Sequence, residues 1–233
     1  GNNTTIDASN RWVRLSGVVS GGGGIKVDRF GVLKLNAINT YTGQTTIDKG
    51  ELWIETAGDA ISSGSAIYVG NGGQTANVTK FYLSGTSGGT TFTRNINMNN
   101  GDASTRFLCG LNTSGTNTFS GTITGTASNL NLESLNTAGT TNYAGVISGS
   151  GALFSLGSGT TQLSAANIYT GATTINSGNT LKLGTSSTVN TAGPLGTASS
   201  GTTVSSGAVF DMNGFSLNSG AAEALTLNGT GIS

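Results

Sequence analysis

The sequence predicts an all-β solenoid of about ten stacked coils with almost no α-helix, and three observations carry that prediction. A twelve-residue phrase occurs twice with one grammar, Asn39-Thr-Tyr-Thr-Gly-Gln-Thr-Thr-Ile-Asp-Lys-Gly50 and Asn167-Ile-Tyr-Thr-Gly-Ala-Thr-Thr-Ile-Asn-Ser-Gly178, with eight of twelve positions identical. Internal repetition of short units punctuated by glycine is the mark of chain turns stacked on one another. Apolar residues alternate with polar ones in short runs, the period of strands. Gly, Thr, Ser and Asn together make up more than half of the 233 residues, while only 9% are charged and Pro occurs once. Disorder normally goes with high charge or abundant Pro, so this chain is polar but patterned.

Taken in order, the strands begin with the alternation around Trp12, where Val13 and Leu15 are expected inside. Ile25-Lys-Val27 and Leu33-Lys-Leu35 repeat that alternation, and the first phrase leads into Leu52-Trp-Ile54. Between roughly residues 60 and 140 the repeat degenerates into Ala66-Ile-Tyr-Val69, Phe81-Tyr-Leu83, Ile96-Asn-Met98, Phe107-Leu-Cys109 and Leu130-Asn-Leu132. The second phrase leads into Leu181-Lys-Leu183, and Leu225-Thr-Leu227 closes the series. Nowhere do apolar residues recur at helical spacing for ten residues, and the good helix formers are never concentrated.

The repeat unit is longer than the phrase. At the same constant offset that separates the two phrases, Val19-Ser20-Gly21 falls on Ile147-Ser148-Gly149, Gly31 on Gly159 and Leu35 on Leu163. One inserted residue then brings Leu52-Trp53-Ile54 onto Leu181-Lys182-Leu183. The units lie near 15–54 and 143–183, within what reads as one domain over 1–233. At roughly 20 to 25 residues per coil and about 4.8 Å between stacked strands, the rod would be roughly 50 Å long. Inside such a stack each strand edge is covered by the next coil, which removes the usual aggregation risk of Thr-rich strands.

Charge excludes several functions. Ten basic and ten acidic residues give no net charge, and no Lys/Arg cluster offers the phosphate-neutralising face that nucleic acid needs. No apolar run approaches the length of a membrane span, and the first residues are not a signal sequence, so any export signal is expected to have been removed. Sixteen of the twenty charged residues precede Phe107.

Catalytic chemistry is equally thin. The chain has no histidine, which removes the usual general base, zinc ligand and triad member. The single cysteine, Cys109, reads as a small buried hydrophobe. Paired carboxylates are the remaining route, and only Glu51 and Glu55 flank one strand, on the outward face they share with Trp53. The run Gly21-Gly-Gly-Gly24 lacks the Lys-Ser/Thr of a phosphate loop, and Lys26 stands where a calcium nonapeptide needs Asp, so a tight turn between coils is the better reading. No cofactor and no metal site is expected.

The phrase resembles the passenger-associated repeat of bacterial autotransporters, whose form runs N-x-Y-T-G-x-T-x-I-x-x-G-x-L, and both copies fit it. The second departs by placing Thr180 before Leu181. That resemblance implies a single-stranded right-handed parallel β-helix on the outside of a Gram-negative-type envelope, exported by the type V route. The usual C-terminal barrel is missing, so the chain is expected to be a section of a longer protein. Within the phrase, Asn39, Tyr41, Gly43, Ile47 and Gly50, with Asn167, Tyr169, Gly171, Ile175 and Gly178, are expected to build the coil.

Three function classes follow. The first is an extracellular, non-catalytic stalk or adhesin with glycan or matrix contact on its outer face. If the inward set is Val13, Leu15, Leu52, Ile54, Ile67, Val69, Phe81 and Leu83, then Trp12, Trp53, Tyr68 and Tyr82 turn outward as candidate ligand contacts. The second is a subunit that self-associates through the solenoid ends into a fibre or sheath. The third is a β-helical polysaccharide-degrading enzyme, for which the acids are too scattered.

Overall fold

In a computed structural model the chain is a parallel β-solenoid. The structure describes residues 4–7, 12–28, 31–56, 60–61, 67–70, 78–84, 88–98, 105–125, 129–187, 192–197, 199–217 and 223–229; no helix occurs among them. Every paired strand runs parallel to its neighbour, one coil after the next, in three sheets.

The first sheet stacks Thr4–Asp7, Ile25–Asp28, Thr45–Ile47, Ile67–Val69, Ile96–Met98, Ile123–Gly125 and Ile147–Ser148. The second stacks ten strands: Trp12–Leu15, Val32–Leu35, Gly50–Ile54, Val78–Leu83, Thr105–Gly110, Leu130–Ser134, Leu153–Gly157, Thr173–Ile175, Thr202–Val204 and Leu225–Leu227. The third stacks Thr91–Phe92, Thr116–Phe119, Thr140–Tyr143, Thr160–Leu163, Thr180–Leu183 and Val209–Asp211.

Counted on the first sheet, the solenoid makes about seven turns, short of the ten expected; ten rungs are reached on the second sheet alone. Coil length is not uniform. One turn carries Leu33 to its register partner Leu52, whereas the next needs a distinctly longer stretch of chain to carry Leu52 to Phe81. Beyond Ile147–Ser148 no further strand of the first sheet occurs among the described residues.

Alternation sets the core, because successive residues of a strand point to opposite faces. On the first sheet, Ile25, Thr45, Ile67, Ile96, Ile123 and Ile147 form one buried column of register partners. On the third, Phe92, Phe119, Tyr143, Leu163 and Leu183 do the same, with Phe119 and Tyr143 stacked at 5.2 Å between ring centres. Outside that column Thr116, Thr140, Thr160 and Thr180 form an unbroken threonine ladder. Of the eight side chains expected inside, six are buried; Val13 and Leu15, on the first rung of the second sheet, are only partly so.

The repeat phrase has the same internal geometry in both copies. Asn39 Oδ1 accepts a hydrogen bond from Val19 N in the coil before, at 2.8 Å, and its Nδ2 donates to Ala60 O in the coil after. Asn167 Oδ1 likewise accepts from Ile147 N at 2.8 Å, and its Nδ2 donates to Pro194 O at 2.8 Å. Tyr41 and Tyr169 are buried, with hydroxyls bonded to the hydroxyls of Thr45 and Thr173. Ile47 and Ile175 are fully buried. Gly50 and Gly178 take φ of 95° and 85°, a region costly for side-chain-bearing residues. At Gly43 a Cβ would lie 2.3 Å from the backbone of Gly23 and Gly24, and at Gly171 one would lie 2.1 Å from Gly151 O. The glycine run is therefore a place where two coils touch backbone to backbone.

The two copies do not share sides of the solenoid. Strands 25–28 and 45–47 belong to the first sheet, but their counterparts 153–157 and 173–175 belong to the second. From Ile25 five rungs lead to Ile147, and Leu153 lies one side further on, so the offset between the copies is five turns plus one side. The phrase encodes a passage between adjoining sides and is indifferent to which sides they are.

Candidate functional site

The outer face of the second sheet carries most of the chemistry-bearing side chains. Parallel register stacks them into two columns, since residues two apart on one strand share a face. One column runs Trp12, Val32, Glu51, Lys80, Phe107, Asn131, Phe154 and then Thr174, Thr203, Thr226. The other runs Arg14, Lys34, Trp53, Tyr82, Cys109, Glu133 and Leu156. Each of the first seven rungs places at least one charged or aromatic residue on this face, and threonine takes over on the last three.

At the start of the columns, Trp12, Arg14, Val32, Lys34, Trp53 and Glu55 line a groove of about 480 Å³. Trp12 is 68% exposed. Glu55 binds two cations: its Oε2 lies 2.6 Å from Arg14 Nε and its Oε1 3.3 Å from Lys34 Nζ. The Lys34 ammonium also sits 4.1 Å above the centre of the Trp53 ring, a cation–π contact. Trp53 Nε1 in turn donates to Glu51 Oε2 at 2.7 Å. The groove is thus preorganised by pairing within and across its three rungs.

Further along, the face closes over. Trp53 and Tyr82 lie ring to ring at 4.5 Å, Lys80 stands 4.5 Å over the Phe107 ring, and its Nζ is 3.6 Å from Glu133 Oε2. Beneath them Cys109 is fully buried and its Sγ donates to Glu133 Oε2 at 3.3 Å. Burial pushes the Cys109 thiol well above its ordinary pKa, with the Glu133 carboxylate acting the same way. The thiol is therefore buried as expected, but in an outer column under long side chains and not in the solenoid core.

The four aromatics expected outside do not form one ridge. Trp12 is open to solvent, Trp53 is partly covered, and Tyr82 is only 6% exposed because Trp53 and its neighbours lie over it. Tyr68 belongs to the first sheet, where it pairs with Thr46 and Asn97 on a different side. Period two places Tyr82 on the outer face correctly; it does not show that neighbouring rungs cover it. Sequence reasoning misses Arg14 and Lys34, and the signal that could find them is spacing, because Lys34 follows Arg14, and Glu55 follows Lys34, at an interval of one coil.

Glu51 and Glu55 do share a face, but each is committed to other partners. A catalytic pair must flank a bond, with one carboxyl free to hand over a proton. Here an indole N–H takes one and two cations take the other. Among the described residues no group of three or more His, Cys, Asp or Glu side chains is placed to hold a metal.

Comparison with known proteins agrees with the repeat geometry. The family model of the passenger-associated-transport-repeat matches residues 31–54 and 156–183. No curated protein and no solved structure matches the chain. The first match spans the strand Val32–Leu35, the Asn39 phrase and the strand Gly50–Ile54, and the second spans the corresponding strands one side further round. A chain with two passenger-associated-transport-repeats wound into a parallel β-solenoid fits the passenger domains of autotransporters.

Proposed function

We propose that this chain is a non-catalytic, extracellular passenger section, a stalk or adhesin on a bacterial surface, whose outer face contacts glycan or matrix. The observation that carries the contact reading is the groove at Trp12, an exposed indole beside paired charges on a chain otherwise dressed in hydroxyls and amides. Carbohydrate is well met by an aromatic face flanked by polar groups, and an exposed large aromatic against preorganised charges favours interaction over simple solvation. The stalk reading is supported by the unbroken ten-strand sheet, in which force along the axis is shared over parallel ladders. The non-catalytic reading is supported by the commitment of Glu51 and Glu55 to other partners.

A glycan and matrix-protein array probed with the chain and with Trp12→Ala tests it. Binding that is lost in Trp12→Ala and kept in Tyr68→Ala is the expected result. Binding insensitive to Trp12 would place the contact elsewhere, and cleavage of any polysaccharide on the array would overturn the non-catalytic reading.

A further inference from the structure

Three rungs contribute to the groove, Trp12–Leu15, Val32–Leu35 and Gly50–Ile54 with the adjoining Glu55, so it runs along the solenoid axis for two rung spacings, about 10 Å. That suits two linked sugar residues of an extended chain. Its lining holds two cations and one carboxylate, and the Glu51 carboxylate at its edge is taken up by Trp53 Nε1. Arg14 is half exposed and bonds Glu55 through Nε, and its other N–H groups form no hydrogen bond among the described residues. A guanidinium with open donors fits a second carboxylate as a planar fork.

Taking this outer face as the contact surface proposed above, we infer that the groove between Trp12 and Trp53 binds a carboxylate-bearing sugar, a uronic or sialic acid residue of an extended glycan. The sugar ring lies against the exposed face of Trp12. Its carboxylate is held by Arg14 and Lys34, which it shares with Glu55. A neutral sugar would leave the open guanidinium donors of Arg14 without a charged acceptor, and a nucleic acid strand needs a longer series of cations than the two in this groove.

Calorimetric titration of the whole chain with hyaluronan and alginate oligosaccharides, sialyllactose, carboxyl-reduced hyaluronan, lactose and heparin oligosaccharides tests this. Acidic sugars are expected to bind about tenfold more tightly than their reduced or neutral counterparts, the worth of one charge-assisted contact, and to weaken with added salt. The uronate and sialyl arms distinguish the two sources. Arg14→Gln should abolish the preference for acidic sugars, Trp12→Ala should weaken acidic and neutral binding alike, and Tyr68→Ala, on a different side of the solenoid, should change neither. Glu55→Gln should tighten acidic binding several-fold, because it removes the internal competitor for Arg14 and Lys34. Lys34→Gln serves as a second variant, and circular dichroism checks that each variant is folded. Equal binding of acidic and reduced sugars, still dependent on Trp12, would overturn the acidic preference and leave the contact surface standing. Heparin bound with every carboxylate-only sugar excluded would also overturn it, and no binding of any sugar would overturn both this inference and the glycan contact proposed above.

Discussion

Asn39 and Asn167 make the same three-coil staple on two different sides of the solenoid. Each accepts a hydrogen bond from a backbone N–H one coil earlier and donates to a carbonyl one coil later. Asn39 does this between strands of the second and first sheets, Asn167 between strands of the third and second. The amide works because it is both donor and acceptor, and both copies are buried, so water cannot replace either bond.

Replacing Asn167 by Ala should therefore cost about 2–4 kcal/mol, since a buried N–H at Ile147 and a carbonyl at Pro194 lose their partners together. Asn167→Asp should also destabilise, because it keeps the acceptor, loses the donor and buries a charge. Urea unfolding measures both. A midpoint shift worth under about 0.5 kcal/mol for Asn167→Ala would mean that the staple is not what holds the coils there.

This staple also shows what can be read before the structure. Asn, Tyr, Gly and Ile of the phrase recur because each has one geometric task, and a repeated task leaves a repeated letter. Coil length leaves no such trace in the middle of the chain, where insertions lengthen coils such as the one from Leu52 to Phe81 and a uniform period miscounts the turns. The outer columns are legible only in part. Trp53 and Glu55 advertise an outer face by alternation, but Arg14 and Lys34 join them only through register. Register depends on every intervening turn.

Gly43→Ala tests the backbone contact between coils. The new methyl would meet the Gly23 and Gly24 backbones at 2.3 Å, and rigid backbone cannot yield as a flexible side chain can. A loss of about 2–4 kcal/mol is expected, within the range seen for overpacking. Gly22→Ala, where a Cβ meets nothing within 4 Å, is the control and should be nearly neutral. Equal effects at the two positions would sink the contact argument.

Alkaline pH should unfold the chain through its buried tyrosines. Burial pushes the Tyr41 hydroxyl up to about 12, although its bond to Thr45 acts the other way, and burial raises Tyr143 and Tyr169 as well. A group whose pKa is higher when folded keeps its proton while the unfolded chain releases it. Its stabilising effect is full below about pH 10 and is lost as pH rises through the folded value. Tyr41 alone spans about two pH units, worth about 3 kcal/mol. Urea midpoints should fall steeply between about pH 10 and about pH 12. Tyr41→Phe should flatten that slope while lowering stability at neutral pH through loss of the Thr45 bond. An unchanged slope would remove Tyr41 from the account.

Cys109 should be silent toward thiol reagents until the second sheet opens. Its sulfur is fully buried under Tyr82 and Glu133, and its raised pKa leaves little of the reactive thiolate at neutral pH. Both barriers fall together when these rungs separate, so labelling should follow opening and not the reagent's intrinsic rate. Labelling by Ellman's reagent is expected to track the urea transition. Glu133→Gln takes away the carboxylate that accepts from the thiol and pairs with Lys80, and should speed native-state labelling by loosening the cover. Rapid labelling of the native chain, with no change in Glu133→Gln, would show that the outer columns do not seal this face.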